Sequence, residues 1–239
     1  MTRDPFTPFT AEHLVPLAIG ATLTALILLL ARRSERWRLI TTAIIAFLNL
    51  TAYAYSQAAW LSLDTPLALD NTLPFHLCDL TAIIAGFALL TRHRLLAAVT
   101  YCWGLAATAQ ALVTPALGVG HPSWPHVTFF VQHFAIIAAA LYLPIVDGWR
   151  PKRPLWRTPL DALLLGIIYQ LCSLAINARL DTNFGFTMHP PFNPSLIDHL
   201  GPWPWYLMAM WPIAFLLFFL LCMPFAMSPS GNHDRRDRP

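Results

Sequence analysis

The chain has 239 residues, of which 56% are apolar and only 11% charged, against about 25% charged in an ordinary soluble domain. With a mean hydropathy of +0.53, this composition excludes a water-soluble globule and points to an integral membrane protein. The net charge of +3 is small and carries no sign of nucleic-acid binding. Its meaning lies in where the charges sit.

Taken in chain order, seven runs approach the roughly 20 apolar residues that a helical span requires. They are 14–31, 39–61, 73–91, 95–113, 127–146, 160–176 and 203–227, the sixth being short. Arg32 and Arg33 follow the first run at once, which marks it as a retained anchor and not a cleaved signal peptide. Basic residues then alternate. Arg32, Arg33, Arg36 and Arg38 lie between the first two runs, Arg92 and Arg94 between the third and fourth. Arg150, Lys152, Arg153 and Arg157 follow the fifth, and Arg235, Arg236 and Arg238 close the chain. Only Arg3 and Arg179 fall on the opposite side. Because Lys and Arg are retained in cytoplasmic loops, the expected fold is an all-α, polytopic transmembrane bundle of about seven spans, with its N-terminus outside and its C-terminus in the cytoplasm. It reads as one domain over 1–227, with an outer cap at 177–202 and a disordered cytoplasmic tail at 228–239. Trp203, Trp205 and Tyr206 are expected as interface anchors. Cys78, Cys102, Cys172 and Cys222 all fall within spans and form no C-x-x-C pattern, which argues against a disulfide framework.

Polar side chains in hydrocarbon are costly, so their depth is informative. Asn49, Tyr53 and Gln57 recur every four residues on one face of the second span, in its outer half. The third opens with Pro74, His76, Cys78 and Asp79, and the fourth ends with Thr108, Gln110 and Thr114. The fifth begins with His126, Gln132 and His133, and the sixth ends with Gln170, Ser173 and Asn177. Singly, such residues serve as hydrogen-bonding glue between helices. Together they predict a polar cavity in the outer half of the bundle. Cys78 and His133 fall at similar depth if the third and fifth spans are neighbours, and His126, two turns from His133, is expected at the mouth. His76 faces away from Cys78 and is expected to pair with Asp79.

A thiol in this setting reads in two ways. It is a small packing residue, or a nucleophile whose proton a histidine removes. Cys102, Cys172 and Cys222 have no polar company and read as packing residues. His76, Cys78, Asp79, His126 and His133 have the chemistry of zinc or copper ligands but no recognised ligand spacing, so neither metal nor cofactor is expected. A proton or ion path would need polar residues in the inner halves, which hold almost none. A receptor or transporter that binds a small polar ligand or a lipid remains the alternative to an enzyme.

Several strings occur together: Leu73-Pro74-Phe75-His76-Leu77-Cys78-Asp79, Trp103-Gly104-Leu105 running on to Thr108 and Gln110, and Gln132-His133. Asp181-Thr182-Asn183-Phe184, Pro194-Ser195-Leu196-Ile197-Asp198 and Leu200-Gly201-Pro202-Trp203-Pro204-Trp205-Tyr206 follow. In this combination the chain resembles the YwaF family of bacterial integral membrane proteins, itself similar to the transmembrane protein 164 family of phospholipid acyltransferases. The resemblance implies a bacterial cytoplasmic membrane protein that acts on membrane lipids, as acyltransferase or acyl hydrolase, with Cys78 as nucleophile and His133 as its base. Gln110, Asn183 and His76 are candidates for orientation or oxyanion stabilisation, and with Asp79 and His126 they form the expected substrate-binding set. Asp181 departs from the family pattern, standing where a small Gly is expected.

Overall fold

The computed structural model describes residues 5–63 and 68–226; the expected tail at 228–239 lies outside them. Among these described residues ten α-helices follow in order: α1 (Ala11–Ala31), α2 (Glu35–Leu50), α3 (Ala52–Leu61), α4 (Leu69–Thr72), α5 (Leu77–Thr91), α6 (Arg94–Trp103), α7 (Ala109–Val113), α8 (Trp124–Ile145), α9 (Arg157–Leu180) and α10 (Trp205–Cys222). A π-helical turn, Gly104–Thr108, joins α6 to α7, so that Arg94–Val113 is one continuous span. No strand occurs among the described residues. Among the described residues six helices are long and apolar enough to cross a membrane, and seven if the pair α2–α3, bent by 49°, is one span. The protein is thus an all-helical, multi-pass membrane bundle.

The bend falls at Thr51, and side chains account for it. Thr51 Oγ1 donates to the carbonyl of Phe47 at 2.7 Å, a back-bond that tilts the carbonyl and bends the helix. The Asn49 amide donates to Ile45 O and, across the interface, to Ala135 O at 2.8 Å. Asn49 therefore serves as glue to α8, while Tyr53 and Gln57 beyond the bend turn toward α4. This corrects the expectation that all three share one face of a straight helix.

Helix α8 is the axle of the bundle and touches α1, α2, α3, α5 and α6. Lipid tails are as apolar as leucine, so helices associate here through close packing and interhelical hydrogen bonds. Ala135, Ala138, Ala139 and Ala140 are buried along α8 and let neighbouring backbones approach. The π-turn exploits this most closely. A Cβ on Gly104 would lie 3.0 Å from Ala140 Cβ and 3.2 Å from Ile136 Cγ2. Below, buried Tyr142 donates to Arg38 O at 2.9 Å and receives the Thr42 hydroxyl at 2.9 Å, tying α8 to α2. Helices α9 and α10 pair with each other, and α9 also packs on α6, where Trp103 donates to Ala162 O at 3.0 Å.

Asp147 follows α8 at the basic end, its side chain only 4% exposed and 3.3 Å from Arg92. Neither carboxylate oxygen accepts a hydrogen bond among the described residues. Burial pushes this carboxyl above its ordinary value, against the pull of Arg92 and Arg38. The folded chain then holds the proton more tightly than the unfolded one. This contribution to stability is fully present below the ordinary carboxylate value of about 3.9 and is lost as pH rises from there through the raised value. Thermal midpoints in detergent between pH 7 and pH 4 are expected to climb less steeply on acidification in Asp147→Asn than in the parent. Parallel slopes would contradict the assignment.

Candidate active site

A cavity of about 450 Å³ lies between α3, α5, the π-turn, α8, α9 and α10, within the usual size range for a small-ligand site. Its floor is apolar and its polar groups gather where α5 begins.

Pro74 explains that beginning. A residue before proline is driven out of the helical region, and Leu73 is extended at φ −116°, ψ 140°. The expected span starting at Leu73 therefore breaks into α4, a turn, and α5 from Leu77. Cys78 becomes the second residue of α5 instead of lying well down a longer helix. There the free backbone N–H groups and the helix dipole favour a developing thiolate. Cys78 packs against Ala52, Ala82 and Ile136 in company with Tyr55. The Thr108 hydroxyl, on the π-turn, lies beside its thiol. π-turns are frequent at functional sites because they re-aim a side chain, and this one brings Thr108 to the sulfur.

Helix α5 packs directly on α8, and Cys78, Asp79, Gln132 and His133 all line the one cavity. The His133 Nδ1 lies 2.7 Å from Phe129 O, and its ring stacks on Phe129 with centroids 4.0 Å apart. A carbonyl only accepts, so Nδ1 carries the proton. In the neutral ring, Nε2 then keeps its lone pair. Asp79 accepts from the Gln132 amide at 2.8 Å.

The remaining expected residues separate into three groups. His76 lines the cavity but donates from Nε2 to Asp70 O at 3.1 Å, with its ring edge-on to Phe184. Its ring is thus bonded to the segment before α5, while Asp79 is held by the Gln132 amide and meets His76 through the His76 backbone and charge. Gln110 lines the cavity and donates to the Thr114 hydroxyl at 3.1 Å. Asn183 and His126 lie outside the cavity wall. Asn183 organises the loop above it: the side-chain oxygen accepts from Met188 N at 3.0 Å, the amide donates to His189 O at 2.9 Å, and the backbone N–H reaches Asp70 at 2.9 Å. His126 faces a separate groove against α1. Among the described residues, no three His, Cys, Asp or Glu side chains converge as a metal site would.

The segment between α9 and α10 covers the cavity, with Gly185, Phe186, Leu196 and Ile197 in its lining. Its first residue, Asp181, caps α9 in the left-handed region at φ 54°, ψ 49°; that conformation is why Gly is the expected residue there. Gly185, at φ +63°, would place a Cβ 2.7 Å from the Tyr169 hydroxyl, which itself donates to Phe75 O at 2.9 Å. Trp203 donates to Thr187 O at 3.0 Å, and buried Tyr206 to Phe186 O at 2.6 Å. Tyr206 is therefore a clamp on this cover and not an interface anchor, whereas Trp205 is 62% exposed.

Sequence reading passed over Tyr55, because a straight helix would have turned it away from Cys78. Its hydroxyl is buried without a hydrogen-bond partner among the described residues. Leaving such a group unpaired costs about 1–3 kcal/mol, so Tyr55→Phe is expected to raise the thermal midpoint in detergent. A clear fall would mean that the hydroxyl has a partner in the working protein. Cys102 was also read as having no polar company, yet the Cys222 thiol of α10 is its neighbour.

No curated protein and no solved structure matches the chain. The TMEM164 family matches over residues 8–222, nearly the whole length and every helix described above. The chain is a multi-pass membrane protein that belongs to the TMEM164 family.

Proposed function

We propose that this protein is a lipid-modifying enzyme, an acyltransferase or acyl hydrolase of the bacterial cytoplasmic membrane, with Cys78 as nucleophile and His133 as general base. The observation that carries this reading is that a first-turn cysteine and a histidine with its Nδ1 proton already committed line the same mostly apolar cavity. In the reaction, Nε2 of His133 takes the thiol proton as the Cys78 sulfur attacks the ester carbonyl of a membrane lipid. The tetrahedral intermediate collapses, and the leaving lipid alkoxide receives that proton from His133. An acyl thioester remains on Cys78. The hydroxyl of an acceptor lipid, or water, then attacks the thioester, passes its proton to His133, and regenerates the thiol. The apolar floor suits the acyl chain, while Asp79, Gln132 and Gln110 meet the polar part of the substrate.

The distribution of basic residues supports a cavity that opens toward the outer leaflet, with the N-terminus outside. Reporter fusions at each terminus test this orientation. The chemistry is tested by incubating the purified protein with phospholipid vesicles and measuring its intact mass. An acyl adduct that maps to Cys78 and disappears with hydroxylamine is the expected result. No adduct on Cys78, with lipid composition unchanged by Cys78→Ala, would defeat the enzyme reading.

A further inference from the structure

His126 belongs to the same histidine-rich entry of α8 as His133, yet it looks the other way, into a second cavity of about 710 Å³ between α1 and α8. The walls of this groove are apolar. Val15, Ile19, Leu23 and Ile27 line it at four-residue intervals along α1, facing Val127 and Val131 of α8. Twelve residues of helix between Val15 and Ile27 extend about 18 Å, close to the hydrocarbon of one leaflet, about 15 Å. Val15, Ile19 and Leu23 are about half exposed and lie on the lipid side of the bundle. The groove therefore has the length and character of a berth for one acyl chain.

Its polar end shows what heads that chain. Among the described residues Glu12, His121 and His126 line it, with no lysine or arginine, which disfavours a headgroup of net negative charge. The Glu12 carboxylate accepts the backbone N–H groups of Thr7 at 2.7 Å and His121 at 3.1 Å, which fixes it at the mouth. The Nε2 of His126 lies 3.1 Å from the carbonyl of Glu12. A carbonyl only accepts, so Nε2 carries the proton and Nδ1 of the neutral ring is an acceptor. His126 is 2% exposed, and that Nδ1 has no hydrogen-bond partner among the described residues. Buried acceptors are almost always paired. The missing partner is a donor, and the carboxylate beside it favours a cationic one.

We propose that the α1–α8 groove is a lipid-binding site, separate from the Cys78 cavity, that selects a lipid with an N–H-bearing ammonium headgroup through His126 Nδ1 and Glu12. Its occupancy does not depend on any reaction at Cys78. The test is lipid retention after reconstitution into nanodiscs that carry equal amounts of phosphatidylethanolamine, its N-methyl and N,N-dimethyl derivatives, and phosphatidylcholine, all with the same acyl chains. Native mass spectrometry then reads the bound lipid. The three lipids that keep an N–H are expected to exceed phosphatidylcholine, which has none, by about tenfold, the worth of one charge-assisted hydrogen bond. His126→Phe is expected to abolish that preference. Val131→Trp, which fills the groove at a lipid-exposed position and leaves the polar end intact, is expected to reduce retention of every headgroup. Phosphatidylglycerol, a hydroxyl donor with net negative charge, serves as the further arm and is expected not to be retained. Equal retention across the methylation series, preference for phosphatidylglycerol, or retention unchanged by Val131→Trp would each overturn the proposal.

Discussion

Replacing His133 with alanine is expected to slow acylation of Cys78 by about 10²–10⁴-fold, the usual contribution of a positioned general base, while Cys78→Ala abolishes it. Two features make the loss this large. Cys78 sits among Ala52, Ala82 and Ile136, and a thiol in apolar surroundings is a poor nucleophile unless its proton is taken during attack. The other imidazole that lines the cavity, His76, is held edge-on to Phe184 and bonded to Asp70 O in the segment before α5, two residues from Cys78, a spacing at which side chains do not face each other. The helix start at Leu77 contributes a favourable field but accepts no proton. Measured as the rate at which intact mass shifts upon mixing with phospholipid vesicles, the parent and His133→Ala curves should reach the same plateau at very different speeds. A rate within threefold of the parent would remove His133 from the mechanism and leave Cys78 to another base.

The all-helical, multi-pass fold was legible because it depends on sums. Long apolar runs accumulate evidence over many residues, and no single side chain decides them. Neighbourhood of the third and fifth spans was legible as a condition, and the α5–α8 contact meets it. What sequence reading missed depended on one-residue events. Pro74 moves the start of α5 to Leu77, and Thr51 bends α2 against α3. The π-turn Gly104–Thr108 rotates Thr108 toward the sulfur of Cys78. Each changes which face a side chain occupies, and regular periodicity carries no signal of that change. His126 shows the same limit in another form. Seven residues from His133, it was expected on the same face, yet α8 is surrounded on several sides, and the two rings serve different cavities.

Asn177 ties down the start of the cover over the cavity, and Asn177→Ala is expected to loosen it. Asn177 is 1% exposed near the end of α9. Its amide donates to Phe184 O at 2.9 Å and to the Thr187 hydroxyl at 2.7 Å, and its oxygen accepts from Phe184 N at 2.9 Å and the Thr182 hydroxyl at 2.8 Å. Alanine leaves these groups unpaired in a buried place, where one orphaned polar group costs about 1–3 kcal/mol. Small shifts and entering water recover part of that. A net loss of about 2 kcal/mol confined to the cover makes its opening roughly 30-fold more frequent, without unfolding the bundle held together by α8. The sensitive readout is therefore local. Cys78 should react faster with a water-soluble maleimide in Asn177→Ala by about that factor, while Cys222, buried at the far end of α10, keeps its parent rate. If both cysteines speed up together, Asn177 supports the whole bundle and not the cover; if neither does, the hydrogen bonds around Phe184 are not what holds the cavity shut.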